Sequence, residues 1–204
     1  MKKAFLLFFL TGLYFDLAAQ SFRFQDYFPL KADTERVYAV SRMQLHTKPQ
    51  PYPDAHIWCR SENVKGRDIF YFDDKPRTTE NRIIGSNIFL AGVCYYDAGI
   101  LYWSPIFWKE ELDSANLSYF EPVFPEMVKT DTLYKARDAE KKISYRFMGL
   151  EDQTCHGVLI KDCLKLTVLQ DWKTAHYEDT VWLKKGVGVV KWMRSTGRLE
   201  EIKF

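Results

Sequence analysis

Apolar and polar side chains alternate with a period of two over much of this chain, and this pattern constrains the fold more than any other feature. Ile143, Tyr145 and Phe147 alternate with Ser144 and Arg146, for example, and the same pattern recurs elsewhere. Successive side chains of a strand point to opposite faces, so this alternation is typical of a β-strand with one buried face. The chain is therefore predicted to be mainly β.

Turn sequences separate the alternating segments. Residues 63–66, 97–99 and 195–197 each end in a glycine, which readily takes the positive φ that tight hairpins need. Short hairpins join antiparallel neighbours. Together these signals predict strands near residues 36–45, 56–62, 68–73, 88–96, 100–104, 132–137, 141–149, 162–170, 176–184, 187–194 and 198–203.

So many strands in one open sheet would curl, so we expect a curved antiparallel meander, either a half-barrel or a two-layer sheet. One short helical segment is predicted after Ser104, which can cap a helix whose first position is Pro105. Asn116 and Pro122 would end it. Gly188 is predicted to need a positive φ or to lie where another strand approaches closely.

The N-terminus has the features of a secretory signal. Lys2 and Lys3 precede an apolar run, and small residues at positions 18–19 suit a signal peptidase. Residues 1–19 are therefore predicted to be a signal peptide, and residues 20–204 a single antiparallel β domain. The alternative is an uncleaved anchor, but the apolar run is shorter than the roughly 20 residues that span a bilayer.

Export predicts a periplasmic or secreted protein. Gln20, and not a cysteine, comes directly after Ala19, so the chain is expected not to be a lipoprotein. The most apolar later segment, residues 88–108, contains Asp97 and Pro105, so no transmembrane segment is expected after signal cleavage. Basic and acidic residues number 29 and 27 and are dispersed. Nucleic-acid binders usually carry a basic stripe, so no nucleic-acid partner is expected.

Four cysteines lie at positions 59, 94, 155 and 163. An even number in an exported protein permits disulfides, and Cys155 and Cys163 could close a short loop. The alternative, which we favour, is that the thiols are free and buried, because a chain of this size needs no covalent staple.

The chain contains no G-x-S-x-G, H-E-x-x-H, S-x-x-K or P-loop string. Gly186 and Gly188 resemble the start of a dinucleotide fingerprint, but Lys191 stands where its third glycine belongs. Cys155 and His156 are adjacent, so on a strand they would point to opposite faces. The sequence thus predicts no catalytic, cofactor or metal site, and enzymatic activity is the less favoured hypothesis.

Residues 93–108 are unusual because both faces of this predicted hairpin carry large apolar groups. A central hairpin that is covered on both sides explains this, with Trp103 in the core. The other interpretation is an aromatic wall that lines a groove for an apolar or sugar ligand. Its candidate ligand-binding residues are Tyr95, Tyr96, Tyr102, Trp103 and Trp108.

The two ends of the chain resemble a known group of proteins. Residues 26–31 read D-Y-F-P-L-K, and residues 181–191 read V-W-L-K-K-G-V-G-V-V-K after the C-L-K-L segment at 163–166. This is similar to uncharacterised exported bacterial β-sheet proteins, a domain of unknown function, with a Y-F-P-L start and a G-V-G-x-V-K closing hairpin. Val37 replaces the tryptophan of that group, and Lys184-Lys185 replaces its Ala-Pro. The resemblance implies a curved antiparallel sheet in the bacterial envelope and supplies no catalytic residue.

These features predict an exported cell-envelope protein that binds an unknown apolar ligand or an envelope protein through a concave, aromatic-rich sheet face. The alternative is an exported hydrolase that acts on glycan or peptide, with carboxylates or His176 converging from separate strands.

Overall fold

The computed structural model describes residues 19–42, 50–64, 66–73, 82–84, 92–104, 106–108, 117, 120–137, 142–172 and 175–204. The elements in this part of the chain are β1 (Ser21–Arg23), α1 (Phe24–Tyr27), β2 (Thr34–Arg42), β3 (Gln50–Val64), β4 (Arg67–Asp73), β5 (Arg82–Ile84), β6 (Gly92–Asp97), β7 (Ile100–Ser104), β8 (Ile106–Trp108), β9 (Glu121–Phe124), β10 (Met127–Lys129), β11 (Leu133–Arg137), β12 (Lys142–Cys155), β13 (Val158–Trp172), β14 (Ala175–Lys184), β15 (Gly188–Met193) and β16 (Arg198–Ile202).

Twelve of these strands form one antiparallel sheet. Their order is β11-β12-β13-β14-β15-β16-β2-β3-β4-β6-β7-β9. The first and last strands of this order, β11 and β9, also contact each other, so the curved sheet nearly closes on itself. The pairs β1–β10 and β5–β8 form two small additional sheets. The predicted fold class, a mainly β chain with a curved antiparallel meander, is confirmed.

Each of the eleven predicted strands corresponds to a strand of the large sheet. The main differences lie in β3, which begins six residues before the predicted strand, and in β12 and β13, which extend through residues that were predicted to lie between strands. Strands β12 and β13 meet in a tight turn at His156 and Gly157, whose φ angles are 49° and 78°. Sequence alternation ended earlier because a register shift beside Gly149 interrupts the period of two.

The predicted helix after Ser104 does not begin at the predicted place. Ile106–Trp108 form β8, which pairs with β5, while residues 109–116 lie outside the described residues. Capping signals are local and weak, and pairing with another strand overrides them. The short helix that the structure describes is α1, near the N-terminus.

Helix α1 packs one end of the concave face of the sheet. The ring of Phe24 lies 4.4 Å from that of Phe124, and Phe28 packs on Phe72 with ring centroids 5.6 Å apart. The carbonyl of Asp26 accepts a 2.7 Å hydrogen bond from the backbone N–H of Gly186, in the β14–β15 turn. The main hydrophobic core therefore extends from α1 along the inside of the curved sheet.

Gly188 has the geometry that its sequence context predicted. Its φ is +97°, and an added Cβ would lie 2.9 Å from Nη1 of Arg36. Both observations favour glycine, because other residues rarely adopt this φ and the side chain of Arg36 fills the space. The prediction is confirmed.

Within the described residues, no helix has the length and apolar character needed to cross a bilayer. The predicted signal peptide lies almost wholly outside the described residues, so the domain boundary at residue 20 stays a prediction.

Candidate functional site

The concave face carries charged side chains at the end opposite α1. Arg198 of β16 lies directly opposite Arg42 of β2, and Glu200 lies opposite Val40. On the other side of β2, Tyr52 of β3 also lies opposite Val40. Directly opposed residues of an antiparallel pair project to the same face. Three strands therefore bring these five side chains to one face.

A cavity of about 350 Å³ lies at this end of the sheet, and we call it the arginine cavity. The described residues that line it are Val40, Arg42, Tyr52, Pro53 and Arg198. Small-molecule sites have volumes of about 300–1,000 Å³, so the arginine cavity is large enough for a small ligand. Tyr52 is 48% exposed although it is a large aromatic residue.

Charge is unevenly distributed around the arginine cavity. Glu200 is only 1% exposed and forms ion pairs with Arg198 Nε at 2.9 Å and with Arg194 Nη2 at 3.1 Å. Arg42, by contrast, forms no ion pair with any other residue that the structure describes. Three arginines therefore share this end of the sheet with one carboxylate that pairs with two of them, and the local charge is positive.

The β15–β16 turn holds two of these arginines in place. Buried Asp179 accepts hydrogen bonds from Trp192 Nε1 at 3.2 Å and from the backbone N–H of Ser195 at 3.0 Å. The N–H of Arg194 donates to the carbonyl of Arg198 at 2.8 Å, and the Arg194 guanidinium lies 5.2 Å from the Trp192 ring. Both arginines thus come from a hairpin that is hydrogen-bonded to the core.

The chemistry of this site is that of anion recognition. A guanidinium presents up to five N–H donors and binds carboxylate or phosphate in a bidentate manner. In the part of the chain that the structure describes, no group of three His, Cys, Asp or Glu residues could hold a metal ion. His176, a candidate for the hydrolase alternative, forms an exposed 2.6 Å ion pair with Asp171.

The aromatic residues singled out from the sequence do not come together on one face. Trp103 belongs to the main core and is 2% exposed. Tyr95 is 4% exposed and belongs to a second cluster on the other face, where it stacks on Tyr102 with ring centroids 5.0 Å apart. Half-buried Tyr96 packs on the main core and donates a 2.9 Å hydrogen bond to the carbonyl of Phe28. The side chain of Trp108 lies outside the described residues.

The hairpin of β6 and β7 is therefore covered on both faces, as the first interpretation of its apolar pattern expected. A ligand-binding role for these five residues stays a prediction.

All four cysteines are buried free thiols. Burial raises the pKa of Cys59, Cys155 and Cys163 to about 11. Cys163 lies opposite Glu151, four residues along β12 from Cys155, whereas bridged cysteines have Cα atoms within about 7 Å. The structure therefore holds Cys155 and Cys163 as separate thiols, and the choice between a disulfide and free thiols stays a prediction.

Sequence reasoning missed the arginine cavity. Arg42 continues the alternation of Tyr38 and Val40, so its position on the concave face could have been inferred. Arg198 could not be placed opposite Arg42, because pairing between β16 and β2 joins segments that are far apart in the chain and no local signal gives that register.

No protein-family model matches this chain, and no curated protein matches it significantly. A solved crystal structure described as "a putative lipoprotein from Parabacteroides distasonis" is similar to it, with a TM-score of 0.42 and 12% sequence identity. The match covers 86% of this chain and 96% of that chain.

That description conflicts with the prediction that this chain is not a lipoprotein, and the prediction is corrected. It rested on the absence of a cysteine after Ala19. The absence of a cysteine at position 20 excludes lipid attachment at that one position and does not exclude the class of lipoproteins.

Proposed function

We propose that this protein is an exported cell-envelope binding protein that takes a small anionic ligand into the arginine cavity, and that it is not an enzyme. The observation that carries the proposal is the position of Arg42 directly opposite Arg198, with both side chains lining the same cavity. Like charges directly opposite each other in a sheet are destabilising. A bound anion would convert that repulsion into attraction.

Glu200 offsets only part of the positive charge. It pairs with Arg198 and Arg194, whereas Arg42 has no acidic partner within the described residues. A hydrogen bond to a charged group contributes about 1.5–3 kcal/mol. A ligand anion that contacts Arg42 and the terminal guanidinium nitrogens of Arg198 would therefore gain the free energy of several such hydrogen bonds.

The curved sheet supports binding at this end. Helix α1 and its aromatic residues pack the other end of the concave face, so a ligand would enter beside the β15–β16 turn. The lining side chains among the described residues belong to strands β2, β3 and β16. Sites built on strands are held more precisely than sites on loops.

The hydrolase alternative is not proposed, because the carboxylates at this end already have partners. Asp179 binds Trp192 and Ser195, and Glu200 binds two arginines. A glycosidase would need two carboxyl groups free to act across a cleft.

Calorimetric titration of the purified protein with inorganic phosphate and with dodecanoate tests this proposal. At least one anion should bind, and Arg42→Gln should weaken its binding by about tenfold or more. Arg146→Gln is the matched control, because Arg146 is an exposed arginine of β12 outside the arginine cavity. The proposal fails if neither anion binds, or if Arg42→Gln and Arg146→Gln change the anion affinity equally.

A further inference from the structure

We infer that the ligand is a single-chain amphiphile whose carboxylate binds between Arg42 and Arg198 and whose acyl chain lies along Val40, Tyr52 and Pro53. This inference rests on the proposed function and adds the chemical class of the ligand. It follows from how charged and apolar groups are arranged in the arginine cavity.

Polarity changes with depth along β2. Arg42 is the last residue of the strand, Val40 is the next residue inward on the same face, and Tyr38 follows as part of the main core. Strand β3 shows the same order, because Tyr52 lies opposite Val40 and Ala55 lies opposite Tyr38. On β16 the buried carboxylate of Glu200 lies between Arg198 and Ile202, where it pairs with Arg194 and Arg198. On the β2–β3 side of the arginine cavity, charge therefore lies at the rim and apolar surface lies deeper, which is the polarity of an amphiphile that enters with its chain first.

The carboxylate site uses donors that remain available on both arginines. Arg198 binds Glu200 through Nε, which leaves its two terminal nitrogens for a ligand. A guanidinium binds a carboxylate best with two parallel N–H donors. Because Arg42 lies directly opposite, a carboxylate between the two side chains could accept hydrogen bonds from both.

The apolar part of the lining is more than a small inorganic anion would cover. Among the described residues that line the cavity, Val40, Tyr52 and Pro53 present largely apolar side chains. Tyr52 is nearly half exposed. An acyl chain would remove this surface from water, which is favourable in proportion to the apolar area covered, whereas phosphate or acetate would leave it wet.

The experiment compares dodecanoate, acetate and dodecanol by calorimetric titration, with dodecanoate kept below the concentration at which it forms micelles. We expect dodecanoate to bind at least about a hundredfold more tightly than acetate, because each buried methylene adds to affinity. We also expect it to bind more tightly than dodecanol, which has the chain without the charge.

Two variants assign the two parts of the ligand. Tyr52→Ser should weaken dodecanoate binding by about tenfold and leave acetate binding unchanged, while Arg42→Gln should weaken both. Tyr177→Ser is the matched control, since Tyr177 is 39% exposed but lies on β14, away from the arginine cavity. Melting temperatures of all variants confirm that each one folds.

The outcomes separate this inference from the proposed function. If acetate or phosphate binds as tightly as dodecanoate, the amphiphile is wrong and the anion site stands. Unchanged dodecanoate binding by Tyr52→Ser also overturns the inference. If dodecanol binds as well as dodecanoate, the carboxylate adds nothing and the inference fails, while binding of phosphate or acetate that depends on Arg42 would keep the proposed function. If no anion binds at all, both the inference and the proposed function fail.

Discussion

Asp179 accepts a 3.2 Å hydrogen bond from the indole Nε1 of Trp192, and both side chains are buried. The same carboxylate accepts a second hydrogen bond from the backbone N–H of Ser195, in the turn between β15 and β16. This carboxylate thus ties the core of the sheet to the turn that carries Arg194 and Arg198, two arginines beside the arginine cavity.

Asp179→Ala should lower the free energy of unfolding by about 3 kcal/mol, because it leaves the Trp192 indole and the Ser195 N–H without their acceptor. Urea denaturation measures this. Asp171→Ala is the control: Asp171 forms an exposed ion pair with His176, so its loss should cost less than about 1 kcal/mol. Equal effects of the two substitutions would contradict the role given to Asp179.

Gly92→Ala should destabilise the protein far more than a typical glycine substitution. The φ of Gly92 is +147°, and an added Cβ would overlap the indole Nε1 of Trp103. Because Trp103 is packed in the core, its ring has little room to move, and we expect a loss of about 3 kcal/mol or more.

Gly157→Ala separates backbone strain from this steric overlap. Gly157 also has a positive φ, +78°, but an added Cβ there would meet nothing within 4 Å. Its substitution should therefore cost only about 1 kcal/mol. If thermal denaturation gave both variants the same loss of stability, close packing of Gly92 on Trp103 would not be the cause.

Much of the sheet could be predicted from local sequence, and the site could not. Alternation such as that of Ile143, Tyr145 and Phe147 reports which face of a strand is buried, so all eleven predicted strands exist in the large sheet. Strands of three or four residues, such as β1 and β10, are too short to show a period. The arginine cavity depends on the register of β16 on β2, which is set by packing between distant segments.

The raised pKa of the buried thiols predicts how the cysteines react. Burial raises the pKa of Cys59, Cys155 and Cys163 to about 11, and only the thiolate reacts with alkylating agents. At pH 8 the folded protein should therefore react slowly with iodoacetamide, and all four cysteines should react after unfolding without reductant. Fewer than four reactive thiols in the unfolded chain would reveal a disulfide.

Alkaline pH should also destabilise the fold. An unfolded cysteine has a pKa of about 8.5, below the folded values of about 11, so the unfolded state releases protons first as the pH rises. The contribution of the neutral thiols is fully present below about pH 8.5 and is lost as the pH rises towards 11. Urea midpoints measured from pH 7 to 10.5 should fall, and Cys155→Ala should reduce the slope of that fall.

Glu200→Gln tests the balance of charge at the arginine cavity. The carboxylate of Glu200 is buried between Arg194 and Arg198, so its neutralisation should lower the free energy of unfolding by about 3 kcal/mol. The same change removes the negative charge that offsets Arg198, so dodecanoate should bind about tenfold more tightly and raise the melting temperature by more than it does in the unmodified protein.

Glu201→Gln is the control for this prediction, because Glu201 pairs with Lys191 rather than with an arginine of the cavity. It should change dodecanoate binding little. Loss of stability without a gain in affinity in Glu200→Gln would show that the anion does not share Arg198 with Glu200. If Glu200→Gln tightens dodecanoate binding but the double variant Arg42→Gln with Glu200→Gln does not, the bound carboxylate lies between the two opposed arginines.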